Sequence, residues 1–363
     1  MQAVAADFVR REVVGAVDAW DSEGRYPRSV VAASGLTGLF CPTDLGGAGL
    51  GYPDGMTVFE ELGRGDAALA FSLSMHNAVA AAVAGAGGEL TERYGKPLAA
   101  GELLGGFSLT EPAAGSDAAA ITTRAAADGT GWRVSGRKAW VSLAGEADVF
   151  LVVCKTAEAS GHSDIAILAV ERADPGVSFP VIYRKAAAAF LPIGEMQLDG
   201  AAGTLLAPPG TGMRAALGAI DVARCDIAAI AAGLHAAALE TAVAYARERQ
   251  AFGRRVLDFQ GIQWMLADAA TDLVASRLLY QHAAGKLGSD EGPVAVAHAK
   301  RFCPDAALRA AIACSEVLGA YGWLRDHPLA RFIAEAKMLQ VVDGTAEIQR
   351  LVIARDLDRS GAA

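Results

Sequence analysis

Aromatic side chains are scarce in this sequence, 7% of 363 residues, although 53% of the chain is hydrophobic and much of that is alanine. So little aromatic mass favours closely packed helices over a β-rich architecture. Cysteine is equally sparse. Cys41, Cys154, Cys225, Cys303 and Cys314 are odd in number, scattered and never in a CxxC pair, which argues against a disulfide framework and a zinc site. No metal is expected, and a reducing cytoplasm is the simplest home. Positive charge is in deficit, with 32 Lys and Arg against 41 Asp and Glu and a net charge of -9. An acidic surface does not attract nucleic acid or anionic membranes, so a small-molecule substrate is the better expectation. The first twenty residues carry Asp7, Arg10, Arg11 and Glu12 and lack the apolar centre of a signal peptide. The longest apolar run, 227–239, contains His235 and reads as too short to span a bilayer.

The length allows a large core divided among two or three folding units. Residues 1–105 read as short amphipathic helices broken by glycine loops at 46–51 and 85–88. The first loop reads as an ordinary turn rather than a nucleotide-binding loop, because no strand precedes it. Residues 106–209 change to β-type runs at 132–134, 149–154, 165–170 and 177–181, the pattern of a small β domain. From 210 to 363 long alanine- and leucine-rich helical stretches return, interrupted near 251–253, 288–293 and 321–328. Four helices forming a bundle are expected there. With no fixed repeat and no long linker, the three regions should pack together.

Two segments carry the chemistry. Phe107-Ser108-Leu109-Thr110-Glu111-Pro112-Ala113-Ala114-Gly115-Ser116-Asp117 is a loop of small residues and hydroxyls, able to bring backbone N–H groups to a polar ring or a phosphate. Gly136-Arg137-Lys138-Ala139-Trp140-Val141-Ser142 sets an indole beside a hydroxyl, which suits a planar redox cofactor but equally suits a core residue and a strand-edge serine.

These segments resemble the signatures of the acyl-CoA dehydrogenase family. The likeness continues in order through Pro42 with Gly46-Gly47-x-Gly49, Glu61-Leu62-Gly63, Arg249-x-x-Phe252-Gly253 with Phe259-Gln260, and Asp343-Gly344-Thr345-x-x-Ile348-Gln349-Arg350. It implies a mostly α fold with a central β domain: an N-terminal helical domain, a middle β-barrel and a C-terminal four-helix bundle, with FAD at a subunit interface. Leu109 and Thr110 match positions holding the flavin pyrimidine edge, and Ser142 the hydroxyl near flavin N5 beside the Trp140 wall. Arg249, Phe252 and Gln260 match positions reaching the FAD of the neighbouring subunit, with the arginine on the pyrophosphate. A homodimer or a dimer of dimers follows. Read alone, Arg249 is a solvated helix charge beside Arg247 and Glu248. By the same resemblance Phe107, Glu316, Gly319, Thr345 and Glu347 are further cofactor positions, and Ser116, Arg224 and Gly344 face the substrate.

The departures are informative. Most members carry a glutamate where this chain has Asp343; it removes the substrate α-proton while hydride passes to flavin. Some branches take the base from the position matching Ala223 instead, which leaves Asp343 as the matching base. Its side chain is shorter by one methylene, about 1.5 Å at most, so the substrate pose must differ. Read without the resemblance, Asp343 before Gly344 is a turn residue. Ala251, Glu316 and Ala320 replace a threonine, a glutamine and a glycine, and Ala186-Ala187-Ala188-Ala189-Phe190 stands near polar residues of other members. The chain as a whole is similar to the acyl carrier protein dehydrogenases of hydroxymalonyl and methoxymalonyl polyketide extender-unit synthesis. That likeness implies oxidation of a short polar acyl thioester, on an acyl carrier protein or coenzyme A, with an unidentified electron acceptor. An ordinary α,β-desaturating acyl-CoA dehydrogenase, a nitroalkane-oxidase-like flavin oxidase and a catalytically silent scaffold are the alternatives. Arg254 and Arg255 are candidates for a basic patch toward an acidic carrier, or else an ordinary solvated helix start.

Overall fold

A computed structural model describes residues 1–129, 131–156 and 164–360. The N-terminal region is helical: α1 (Gln2–Phe8), α2 (Val17–Glu23), α3 (Arg28–Ala33), α4 (Tyr52–Gly65), α5 (Ala67–Ala86), α6 (Gly88–Leu90) and α7 (Lys96–Ala99). Not all are short or amphipathic. α5 runs 20 residues, is apolar on nearly every face, and buries Phe71, Leu73, Val79 and Val83, as a helix enclosed on all sides must. The glycine loop after Pro42 is the turn expected of it. Gly47, Ala48, Gly49 and Leu50 spend their N–H groups on the carbonyls of Pro42, Gly38, Cys41 and Leu39. A Cβ on Gly47 would lie 2.2 Å from the Cys41 oxygen, so close backbone approach is what demands glycine there.

Among its described residues the middle region holds seven strands: β1 (Gly105–Ser108), β2 (Arg124–Asp128), β3 (Gly131–Ser142), β4 (Val149–Lys155), β5 (Ile165–Glu171), β6 (Val177–Ile182) and β7 (Ile193–Ala207). β4 pairs with β5, β5 with β7, β7 with β3, β3 with β2, and β2 meets β4 again, so the ring closes; β1 and β6 attach to β4 and β7. β7 gives no β-type run in the sequence, because Gly194, Asp199, Gly200, Ala201, Ala202 and Gly203 are poor strand formers. Pairing with β3, β5 and β6 overrides that weak propensity.

The C-terminal region contains α8 (Gly212–Glu248), α9 (Gln260–Lys286), α10 (Gly292–Leu318), α11 (Leu329–Leu339) and α12 (Ala346–Ser360). Among the described residues these are five helical segments of the C-terminal helical domain the resemblance implies. The last expected helix is broken at 340–345, where Asp343 and Gly344 take φ values of 51° and 102°. Two helices also outrun the 227–239 apolar run: Ala67–Ala86 and Gly212–Glu248 are long and apolar enough by length and composition to cross a membrane. Alanine and glycine prolong them beyond the run of large side chains. Their most apolar windows are 78% and 67% buried inside the fold, as in core helices of soluble proteins.

The residues gather into two compact units. One comprises Met1–Val17, Tyr52–Phe71 and Asp221 onward; the other comprises Asp18–Gly51 and Ser72–Ile220. The N-terminal helices are thus shared between them. In the helical unit α4 rests on α8 through two glycines, since a Cβ on Gly63 would lie 2.3 Å from the Ile230 oxygen and one on Gly233 1.9 Å from the Glu60 oxygen. Gly63 in the Glu61-Leu62-Gly63 motif is therefore a packing residue. The β unit is built around Val79, Val83, Val149, Leu151, Val153, Ile165 and Ile167.

Candidate functional site

In the β unit the two signature segments are joined to each other. The Lys138 ammonium, wholly buried, donates to the Leu109 carbonyl at 2.8 Å and to the Glu111 carboxylate at 2.9 Å. Glu111 also accepts from Thr122 N and Oγ1 and from Thr123 N. Burial alone would raise the Glu111 pKa, but Lys138 and these donors bring it down to about 2. The Ala139 N–H donates to the Thr110 carbonyl. The amides of Glu111 and Ala114 bond each other's carbonyls, so they do not serve a ligand. Glu111 and Lys138 stand in the two signature segments, but their pairing is not legible in either; an acidic residue near the centre of one segment and a basic residue near the centre of the other were its signal.

That framework presents Trp140. The residue lies at a bulge in β3 with φ 57°, is 63% exposed, and packs against Tyr183 with ring centroids 4.6 Å apart and ring planes tilted by 43°. A strained backbone holding a large aromatic outward is costly unless something covers the ring. Ser142, two residues on, is nearly buried and its hydroxyl takes no protein partner among the described residues. Phe107 and Leu109 are half-buried against the core, and Ser116 is exposed in the loop. The alanine segment 186–190 is a structural plug: Ala188 is buried with φ 56°, and Phe190 packs edge-on to Trp20 at 6.0 Å.

The helical unit carries the other candidates. After α8, a two-strand hairpin pairs Gln250 and Ala251 (β8) with Arg254 and Arg255 (β9), turning through Phe252 at φ 51° and Gly253 at φ 74°. Two successive positive φ angles are the tight hairpin turn. Phe252 at its tip is 96% exposed. Arg254 and Arg255 therefore belong to a strand and not to a helix start: the turn chemistry of Phe252-Gly253 decides it. Arg255 is neutralised by Asp258 at 2.7 Å and Arg254 stacks over Phe259, which leaves less free charge for a carrier than the sequence promised. Arg249 is exposed, with Tyr321 its ring contact at 6.0 Å, and Gln260 opens α9. Glu316 is exposed near the end of α10, and Gly319 caps that helix with φ 60° and ψ -134°, a conformation reserved for glycine.

Asp343 sits in the break between α11 and α12. Arg224 Nε donates to its carbonyl at 2.9 Å while Arg224 Nη1 pairs with Asp221 at 2.9 Å. A Cβ on Gly344 would lie 3.0 Å from Arg224 Nη2 and 3.2 Å from Gln349 Nε2, so Gly344 allows this close approach. The Asp343 Oδ2 atom is shielded from solvent and without a partner among the described residues. Burial raises its pKa, while Lys300 and then Arg224 act the other way. Thr345 precedes α12, and Glu347 in its first turn is held below the usual carboxylate range by its own backbone N–H and the Thr345 side chain. Asp221 and Lys300 escaped sequence reasoning because neither belongs to a recognised segment. Ala223, the alternative base position, is buried and bears no chemistry.

The β unit thus offers a buried Glu–Lys pair beside an exposed indole, and the helical unit a shielded carboxylate oxygen at a helix break. Residues 1–102, 106–201 and 210–357 match the N-terminal, middle and C-terminal domains of acyl-CoA dehydrogenase. The chain belongs to the acyl-CoA dehydrogenase family. It is similar to an acyl-CoA dehydrogenase of Bacillus subtilis, with 35% identity over 98% of this chain and 97% of that protein. Butyryl-CoA dehydrogenase of Megasphaera elsdenii superposes with a TM-score of 0.94 at 30% identity, covering 99% of this chain and 97% of that one. Glutaryl-CoA dehydrogenase of Mycobacterium smegmatis, in complex with FADH2, gives a TM-score of 0.90 at 26% identity over 98% and 93%.

Proposed function

We propose that this chain is an FAD-dependent dehydrogenase that oxidises a short, polar acyl group held as a thioester, with Asp343 as the general base. The observation that carries this reading is the Asp343 carboxylate: half-buried, with Oδ2 shielded from solvent and unpartnered among the described residues, and held in a left-handed turn. A stabilising carboxylate would be hydrogen-bonded, whereas one kept open is placed to take a proton.

The residues present fit FAD. Trp140 offers a planar aromatic face, Ser142 an unspent hydroxyl, and Arg249 a cation suited to a pyrophosphate. When bound, FAD accepts the hydride equivalent that leaves the substrate. The protein's own part is to bind, orient and deprotonate. Lys138 and Glu111 hold the Thr110 and Trp140 segments in register, and Arg224 Nε fixes the Asp343 carbonyl. The Asp343 side chain is one methylene shorter than glutamate. A substrate hydroxyl extends toward it more readily than an α-carbon proton does, which favours a hydroxylated three-carbon acyl group of the hydroxymalonyl and methoxymalonyl type, on a carrier protein or coenzyme A. The relatives named acyl-CoA dehydrogenase support α,β-desaturation of an acyl-CoA as the second reading. Exposed Phe252, Trp264, Leu278 and Trp323 support a homodimer or dimer of dimers.

Anaerobic mixing of the purified flavoprotein with saturated and hydroxylated acyl thioesters, on coenzyme A and on a carrier protein, tests the reading. Bleaching of the flavin by the hydroxylated substrates is expected, together with a loss of at least ~10²-fold in Asp343→Asn. Wild-type reduction rates in that variant would show that Asp343 is not the base. Preference for a saturated acyl-CoA would instead select the second reading.

A further inference from the structure

A lysine is almost never fully buried unless it is paired. Lys300, in the middle of α10, is 2% exposed, and its ammonium donates to the carbonyl of Leu339 at 2.6 Å. Leu339 is the last residue of α11, so this carbonyl belongs to a helix end that has no intrahelical donor and attracts a cation. One turn further along α10, Asp305 accepts from Gln340 Nε2 at 2.8 Å. The two side chains together fasten Leu339 and Gln340 to α10, and Asp343 follows three residues after the second of them. Pro304, inside α10, has no N–H to give the Lys300 carbonyl, so the helix is locally released at this point.

The charges around Asp343 do not contribute equally. From α8, Arg224 faces it but is paired with Asp221. From α10, Asp305 is paired with Arg301. From α12, Glu347 is exposed and paired with Arg350 at 3.0 Å. Lys300 has no carboxylate partner within ion-pair distance among the described residues, so its charge is the one left uncompensated beside the base. We propose that Lys300 is a positioning residue for Asp343: it pins the turn from which the base hangs, and its charge keeps the base ready to accept a proton near neutral pH. Burial pushes the Lys300 ammonium down to about 8, with Asp343 acting against that shift, so the two groups face each other electrostatically. The inference rests on the reading of Asp343 as the base.

Three variants separate the two contributions. Lys300→Gln keeps a donor for Leu339 without the charge, Lys300→Arg keeps the charge, and Lys300→Met removes both. Loss of the charge raises the Asp343 pKa, so the acid limb of the pH–rate profile for flavin reduction should move up by about one pH unit in Lys300→Gln. Lys300→Arg should hold it near the wild-type position. A second readout needs no turnover: the difference in Tm between Asp343 and Asp343→Asn, followed from pH 4 to 9. A raised carboxylate pKa in the folded state costs stability progressively as pH rises through the window between the unfolded and folded values. That difference should widen, and its upper end move to higher pH, in the Lys300→Gln background. An unshifted acid limb and an unchanged Tm difference in Lys300→Gln, with Asp343→Asn inactive, would overturn the role of Lys300 alone. Activity of Asp343→Asn at the wild-type rate would instead remove the base assignment itself. If Lys300→Met does not fold, the Gln and Arg variants still decide the charge.

Discussion

Among the described residues, five that are not glycine adopt a positive φ: Trp140, Leu143, Ala188, Phe252 and Asp343. Such conformations cost of order 1–3 kcal/mol each and persist where the surroundings enforce them. Three of the five are site candidates, and their enforcers are visible: a β-bulge for Trp140, a two-residue hairpin for Phe252, and Arg224 on the carbonyl of Asp343. Gly344 completes the last of these. Gly344→Ala combines a φ of 102° with a contact at 3.0 Å to Arg224 Nη2. It should destabilise by roughly 1–3 kcal/mol and displace Arg224, seen as a lower Tm together with a slower substrate-driven bleaching. At Glu111 the prediction concerns pH. A carboxylate whose pKa is held at about 2 contributes stability that is fully present above the unfolded value and lost as pH falls through the folded one. Glu111→Gln should abolish that acid sensitivity. It should also cost about 3–5 kcal/mol at neutral pH, because Lys138 is left buried without its counter-charge. Urea titrations at pH 7 and pH 3 measure both effects, and equal losses at the two pH values would refute the assignment.

Among the elements, the crossing of α4 on α8 is set by the pair Gly63 and Gly233. A methyl at Gly233 meets backbone at 1.9 Å, which no side-chain rearrangement relieves. Gly233→Ala should therefore cost about 3 kcal/mol or more, while Gly218→Ala on the same helix, with nothing within 4 Å, should be neutral or stabilising. Thermal unfolding of the two variants provides the comparison. The break between α11 and α12 is the element with the greatest functional weight. Without it the C-terminal stretch would continue as one helix, and Asp343 would be one more residue on its surface.

For the whole molecule, the acidic balance and the exposed apolar side chains of the helical unit bear on assembly and on partners. Arg249→Ala should weaken FAD retention while leaving the fold intact, because it removes a cation from a predominantly acidic chain. Gel filtration with absorbance at 280 and ~450 nm reads the mass and the flavin content together; an FAD-saturated stable monomer would contradict a shared cofactor site. Arg255 is already neutralised by Asp258, so only Arg254 and Arg249 remain as basic residues of the hairpin. If the substrate rides on an acidic carrier protein, turnover should fall with moderate salt more steeply for the carrier-bound substrate than for its coenzyme A counterpart.

The fold class and the ordered signature segments were legible in the sequence, because they depend on local pattern: alanine-rich helical periodicity, short β-type runs, and residues such as Trp140, Arg249 and Asp343 kept at fixed spacing. Asp343 stood out as the carboxylate that matches the family's base position, with alanine at the alternative position, Ala223. The tertiary structure alone decided what depends on contacts between distant segments. β7 is a strand because three neighbours pair with it, although its own residues prefer otherwise. Glu111 and Lys138 are a buried pair because a loop and strand β3, 27 residues apart at this pair, are folded against each other. Lys300 acts on Asp343, and Asp221 on the Arg224 that holds its carbonyl, only when α8, α10 and the end of α11 pack together, and no local pattern records that. Burial shifts the protonation of these groups and the packed neighbours oppose or reinforce it, as Lys138 and the Thr122 and Thr123 donors outweigh burial at Glu111.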